Sequence, residues 1–226
     1  MSVSISYTHS AKADSDGINC SYPASSLGAE ASDRIIAICV HGESNTAPPS
    51  SCSVDGDTAD LVASISNTAS APDLHVYWYT LSFPTGTEAD IEFAMATGSW
   101  RIGVFRIVGG ILSPLSDSDT SQGSGVSLDL TALTIPTNGA GIVGFTNASG
   151  ATAVVWTNAT ESYDTTGGAS AYRCSGAIVT GVGTNTITAD GATGEQCMAG
   201  IAFDPVPSGK GPPFDSMKYL RHLLVR

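Results

Sequence analysis

The chain has 226 residues, of which 42% are hydrophobic and only 13% charged, with 25 glycines and a formal net charge of −12. That length holds one large β domain or two small ones and can bury a core without staples. The apolar content and low charge exclude a disordered chain, and the acidic balance excludes nucleic acid as the expected partner, since that needs a basic footprint.

Residues 1–33 read as an N-terminal arm. Val3-Ser4-Ile5-Ser6-Tyr7 alternates as a candidate first strand, and the polar stretches Asp14-Ser15-Asp16-Gly17 and Ser25-Ser26-Leu27-Gly28 follow. The start, MSVSISYTHSAKADSDG, has neither the basic residues nor the apolar run of a secretory signal. No apolar stretch is long enough to span a bilayer. The expectation is synthesis in a cytoplasm, with no membrane partner.

Residues 34–205 carry the predicted domain. Arg34 to Val40, RIIAICV, is apolar on both faces and predicts a central strand covered on both sides. SCSVDGDTADLVASISN predicts two strands around Asp55-Gly56, a dipeptide suited to the positive φ of a two-residue hairpin turn. In DLHVYWYTLSF, His75, Tyr77 and Tyr79 share one face and Val76, Trp78 and Thr80 the other. Pro84-Thr85-Gly86 turns the chain. Ile91, Phe93 and Met95 then alternate with Asp90, Glu92 and Ala94, which predicts one dry and one wet face. RIGVFRIVG continues as a third strand. Residues 113–126 are nearly all Ser, Asp, Gly, Thr and Gln and predict a loop. Further strands are expected at Val126–Leu130, Gly141–Asn147, Ala151–Ser162, Ala169–Thr180, Thr184–Ala189 and Gln196–Asp204. About ten short strands without helical periodicity predict a single antiparallel β-sandwich, jelly-roll-like.

Residues 206–226 form a Pro/Gly linker and the single helical pattern. Met217, Leu220, Leu223 and Leu224 fall on one helix face, Asp215 or Ser216 suits its start, and Arg221 and Arg226 suit its end. Residues 1–209 hold five basic and 20 acidic residues, a charge of −15, whereas residues 210–226 hold four basic and one acidic, +3. A helix this short needs a docking surface to be stable. Phe214, Met217, Tyr219, Leu220, Arg221, Leu223, Leu224 and Arg226 are the candidate partner-binding residues. Both a partner and the chain's own body remain open as the surface.

The candidate catalytic and metal groups each have a structural explanation. His41, Glu43 and Ser44 lie close in sequence, but a triad is defined by geometry, and no G-x-S-x-G elbow is present. Glu88, Asp90 and Glu92 sit two apart, on the wet side of a strand. Asp14-Ser-Asp-Gly, Asp55-Gly-Asp and Asp117-Ser-Asp resemble pieces of calcium loops, but none continues into the full pattern. The five cysteines have no C-x2-C spacing, so thiols are expected rather than a zinc site. Asn19, Asn147 and Asn158 begin glycosylation sequons that carry meaning in secretion alone. The expectation is no catalytic residue, no metal and no cofactor. Tyr77, Tyr79, Trp100 and Trp156 are the candidates for a sugar-stacking platform, against a default of core packing.

The segments SVDGDTADLVA, FPTGTEADIEF and Trp156 to Asp164 (WTNATESYD), in their order within residues 34–205, resemble β-sandwich accessory proteins of tailed bacteriophages and gene-transfer-agent particles. That resemblance covers about three quarters of the chain and does not include the basic tail. It implies a non-enzymatic virion component, a head decoration or spike or a tail-associated protein, with capsid or tail proteins and copies of itself as partners. A carbohydrate-binding module recognising host surface glycans is the alternative.

Overall fold

The computed structural model describes residues 2–15, 19–44, 49–69, 73–94, 98–112, 115–150, 152–166, 172–179 and 181–207. Among them the chain is all-β, with no helix. The strands are β1 (Ser4–Ser15), β2 (Asn19–Ser26), β3 (Ile35–Ser44), β4 (Ser51–Val54), β5 (Asp57–Asn67), β6 (Asp73–Ser82), β7 (Glu88–Ala94) and β8 (Gly98–Val108), then β9 (Asp117–Leu130), β10 (Thr134–Ile135), β11 (Ala140–Asn147), β12 (Val155–Thr157), β13 (Ala159–Thr166), β14 (Arg173–Val179), β15 (Gly183–Thr184) and β16 (Ile187–Phe203). The predicted tail, residues 208–226, and Met95 lie outside the described residues.

The first eight strands make one antiparallel sheet in the order β1-β8-β3-β6-β5-β4-β7-β2. It curls because β5 changes partners. Asp57–Ala59 pairs with β4, and Asp60–Asn67 pairs with β6 across an irregularity at Leu61/Ala63. Bulges at Tyr7/His9 and Tyr22/Ser25 add twist. The terminal strands β1 and β2 come together, so the sheet nearly closes. Inside the curl lies the first core, with Tyr22, Ile36, Ile38, Val40, Tyr77, Tyr79, Ile91, Phe93 and Trp100. Asp55 and Gly56 adopt φ of 48° and 86° in the β4–β5 hairpin, the left-handed geometry expected of that dipeptide.

Residues 117–203 make the second sheet, β12-β16-β11-β14-β13, with β9 also paired to β16; β10 and β15 form a separate short ribbon. Strand β16 bends between Asp190 and Gly194 and pairs with β9 on both sides of the bend. The end of β9 and the start of β16 therefore fold over the body of their own sheet. This encloses the third core, with Leu128, Leu130, Leu133, Val143, Phe145, Ala177, Ile187 and Met198.

The two curled sheets meet back to back. Ile35, Ala37, Cys39, Val76, Trp78, Phe105 and Ile107 from the first face Ile142, Tyr163, Cys197, Ala199, Ile201 and Phe203 from the second. Strand β3 thus lies covered on both sides, with Ile36, Ile38 and Val40 in the first core and Ile35, Ala37 and Cys39 in this middle layer. The Trp78 indole N–H donates to the Ala199 carbonyl at 2.9 Å across the layer.

Two readings of the sequence change. The Ser/Asp/Gly/Thr stretch expected as a loop is most of β9. Its side chains alternate between half-buried and exposed, and its backbone ladder to β16 holds it without an apolar face. The strands expected at Thr184–Ala189 and Gln196–Asp204 are one bent strand, β16.

Candidate functional site

The candidate partner-binding residues Phe214, Met217, Tyr219, Leu220, Arg221, Leu223, Leu224 and Arg226 all lie outside the described residues. The other candidates are dispersed. Glu88, Asp90 and Glu92 are exposed, alternating with buried Ala89, Ile91 and Phe93. Asp90 accepts the Ala24 N–H at 2.9 Å, and Asp55 accepts the Asp90 N–H at 2.7 Å, so both carboxylates serve backbone. Asp117 and Asp119 likewise fasten the chain that follows β9. Asp117 accepts from the N–H groups of Ser118 and Thr134 at 2.8 and 2.7 Å, and Asp119 from those of Thr120 and Ala132, both at 2.9 Å. No group of three or more His, Cys, Asp or Glu side chains among the described residues is placed to hold a metal ion. Tyr77, Tyr79 and Trp100 are buried and Trp156 is half-buried, with its N–H donated to Ser175, so these rings form no open platform.

The residues brought together with the most chemistry are those of a polar seam in the middle layer. His41 follows Cys39 on the same face of β3, where strand alternation turns it toward the second sheet. Its Nδ1 lies 3.0 Å from Thr146 Oγ1 on β11, and its Nε2 2.5 Å from Tyr163 Oη on β13. Thr146 spends its own proton on the His75 carbonyl at 3.2 Å, so it must accept from His41. The ring is therefore the Nδ1–H tautomer, and Tyr163 donates to Nε2. The chain Tyr163 O–H to His41 to Thr146 to the His75 carbonyl satisfies every member. Complete burial lowers the pKa of His41 to about 3, so the ring is neutral at pH 7. Burial also pushes the Tyr163 hydroxyl well above its usual range.

Glycines make room for this seam. A Cβ at Gly103 on β8 or Gly176 on β14 would lie 2.3 or 2.4 Å from the Tyr163 ring, and one at Gly144 on β11 would lie 2.3 Å from Cys39 Sγ. A bulge at Glu161/Tyr163 sets the Tyr163 register, and Tyr7 stacks on its ring with centroids 5.4 Å apart. Beside it Asp164 binds Arg173 through both carboxylate oxygens, at 2.6 and 2.7 Å, and accepts the Val154 N–H at 3.0 Å. Farther along, Asn67 donates to the Gly123 and Gln196 carbonyls, both at 3.0 Å, and Arg101 donates twice to the Thr166 carbonyl.

The sequence identified His41 as a chemical candidate and Tyr163 only as part of a resemblance. Its partners are 105 and 122 residues away, a distance no motif spans. The available signal was the set of mid-strand glycines. Strand β3 places His41 and Glu43 on one face and Ser44 on the other, so these three do not converge as a triad. No known protein family, curated protein or solved structure matches this chain.

Proposed function

We propose that the protein is a non-enzymatic structural component of a phage-like particle, a surface decoration or spike held by a terminal segment. The observation that carries this reading is the division of the chain. A body of charge −15 over residues 1–209, all-β in its described residues, is followed by a segment of charge +3 whose apolar residues recur at helical spacing. The body supports the reading by how it uses its polar groups: Asp55, Asp90, Asp117 and Asp119 hold backbone N–H groups, and His41 is held between Tyr163 and Thr146. The all-β architecture of the described residues is in line with the resemblance of residues 34–205 to virion accessory proteins. In this reading the partners are capsid or tail proteins and further copies of the chain, and the location is the particle. Deleting residues 211–226 and measuring incorporation into particles tests it. Loss of incorporation with an unchanged circular dichroism spectrum of the body is expected; full incorporation of the truncated chain overturns the anchoring role.

A further inference from the structure

We infer that the seam between the two sheets is an acid-operated joint: protonation of His41 breaks the Tyr163–His41–Thr146–His75 chain, and the two curled sheets part there while each keeps its own core. This goes beyond the role in a particle and does not depend on it.

In the neutral chain each hydrogen has one acceptor. A second proton on His41 makes both ring nitrogens donors, so Tyr163 must turn its hydroxyl and accept. That hydroxyl is enclosed by its glycine slot, 2.4 and 2.7 Å from where a Cβ would stand at Gly103 and Gly176, and the thiol of Cys39 in the same layer is only a weak acceptor for the turned O–H. Neither group hydrogen-bonded to the His41 ring, Thr146 or Tyr163, is an anion. From β13 comes Tyr163; from β3, Cys39 and, two residues along, Glu43; from β14 and β16, Cys174 and Cys197, on either side of Thr146. From β8 comes Arg101, opposite His41 in register, a like charge. Tyr7 of β1 packs against Tyr163. His75 of β6 offers its carbonyl, while its ring stacks on Tyr77 and Trp100 in the first core.

The parting is confined because the layers differ. The first and third cores are each wrapped by a sheet curled on itself, the first closed except where β1 meets β2. The seam is crossed by side-chain contacts and hydrogen bonds and by no strand ladder between the two sheets, so opening it leaves the ladders of both sheets intact.

The protein carries its own reporters. All five cysteines are buried thiols. Cys39 and Cys197 lie in the seam, whereas Cys20 and Cys52 lie in the first core. The test is a short pulse of the full chain with 4,4′-dithiodipyridine, which reacts with thiols in acid, at steps from pH 7 to 4, followed by peptide mapping. Modification of Cys39 and Cys197 is expected to accelerate about tenfold or more below about pH 5, while Cys20 and Cys52 stay protected. His41→Gln, which can accept from Tyr163 and donate to Thr146 without titrating, should remove the acceleration. Tyr163→Phe keeps the ring but strips Nε2 of its donor, and should move the opening to higher pH. Simultaneous modification of the cysteines in both layers, protection of Cys39 and Cys197 down to pH 4, or an unchanged opening in His41→Gln would each overturn the joint. If His41→Gln does not fold, an unchanged midpoint in Tyr163→Phe overturns it alone.

Discussion

The enclosed first core and the middle seam share strands β3, β6 and β8 but solve different problems. The first core is filled largely by apolar and aromatic side chains from eight strands that wrap it. The seam has a dry half, around Trp78, Phe105 and Ile201, and a polar half, around His41, Thr146 and Tyr163. Apolar contacts between two sheets tolerate sliding, because one methyl group replaces another at little cost. The chain through His41 does not: a shift of one residue would leave three buried polar groups without partners, each costing roughly 1–3 kcal/mol. The difference teaches that the cores supply most of the stability while the seam fixes how the two sheets are set against each other.

That contrast can be broken at four points, in decreasing order of effect. Trp78→Ala, in the dry half, should lose about 3–5 kcal/mol in urea unfolding, from the cavity and the lost bond to Ala199. A loss below about 1 kcal/mol would show that the dry half is not close-packed. The second point is acid. Because the folded pKa of His41, about 3, lies below its unfolded value near 6.5, the unfolded chain binds the extra proton between those limits. Stability contributed by the neutral ring is complete above pH 6.5 and falls as pH drops toward 3. Wild type should therefore lose up to about 1.4 kcal/mol per pH unit more than His41→Gln across that window, read from denaturation midpoints. Equal slopes would remove His41 as the titrating group.

Third, Gly176→Ala should cost about 1–3 kcal/mol by driving a methyl group into the Tyr163 ring, and should lower its near-ultraviolet dichroism. Gly56→Ala, at the exposed β4–β5 turn with open space around it, should cost about 1 kcal/mol through backbone strain alone. Similar costs at the two glycines, without a change in the tyrosine signal, would argue against the slot. The smallest effect belongs to the wet face of β7. Glu92→Gln should leave stability within about 0.5 kcal/mol, and a larger loss in thermal unfolding would show that this face is engaged.

The sequence makes the strands of the first half legible and the seam nearly illegible. Tyr77 and Tyr79 in one core and Val76 and Trp78 in the next follow from period-two alternation alone, and the Asp55-Gly56 hairpin follows from the φ values that dipeptide tolerates. The first part of β9, Asp117 to Gly125, has no such pattern, because its backbone pairing to β16 asks for no apolar face. His41 illustrates the harder limit. Its strand placement could be read from RIIAICVHG, but the identity of its partners depends on a stacking of two sheets that no local signal encodes. The aromatic candidates Tyr77, Tyr79 and Trp100 were legible as core, and they are buried.

The bridge between Gly110 and Pro205 has a mechanical meaning. Val206 donates to the Gly109 carbonyl at 2.8 Å, Gly109 packs against Ser2, and Gly110 against Val3. The first and last residues of the body thus leave from one spot. A tether on either side would grip the body at the same pole and orient it the same way. The ends of β3 at Ser44 and of β11 at Asn147 would point outward, as from a single stalk.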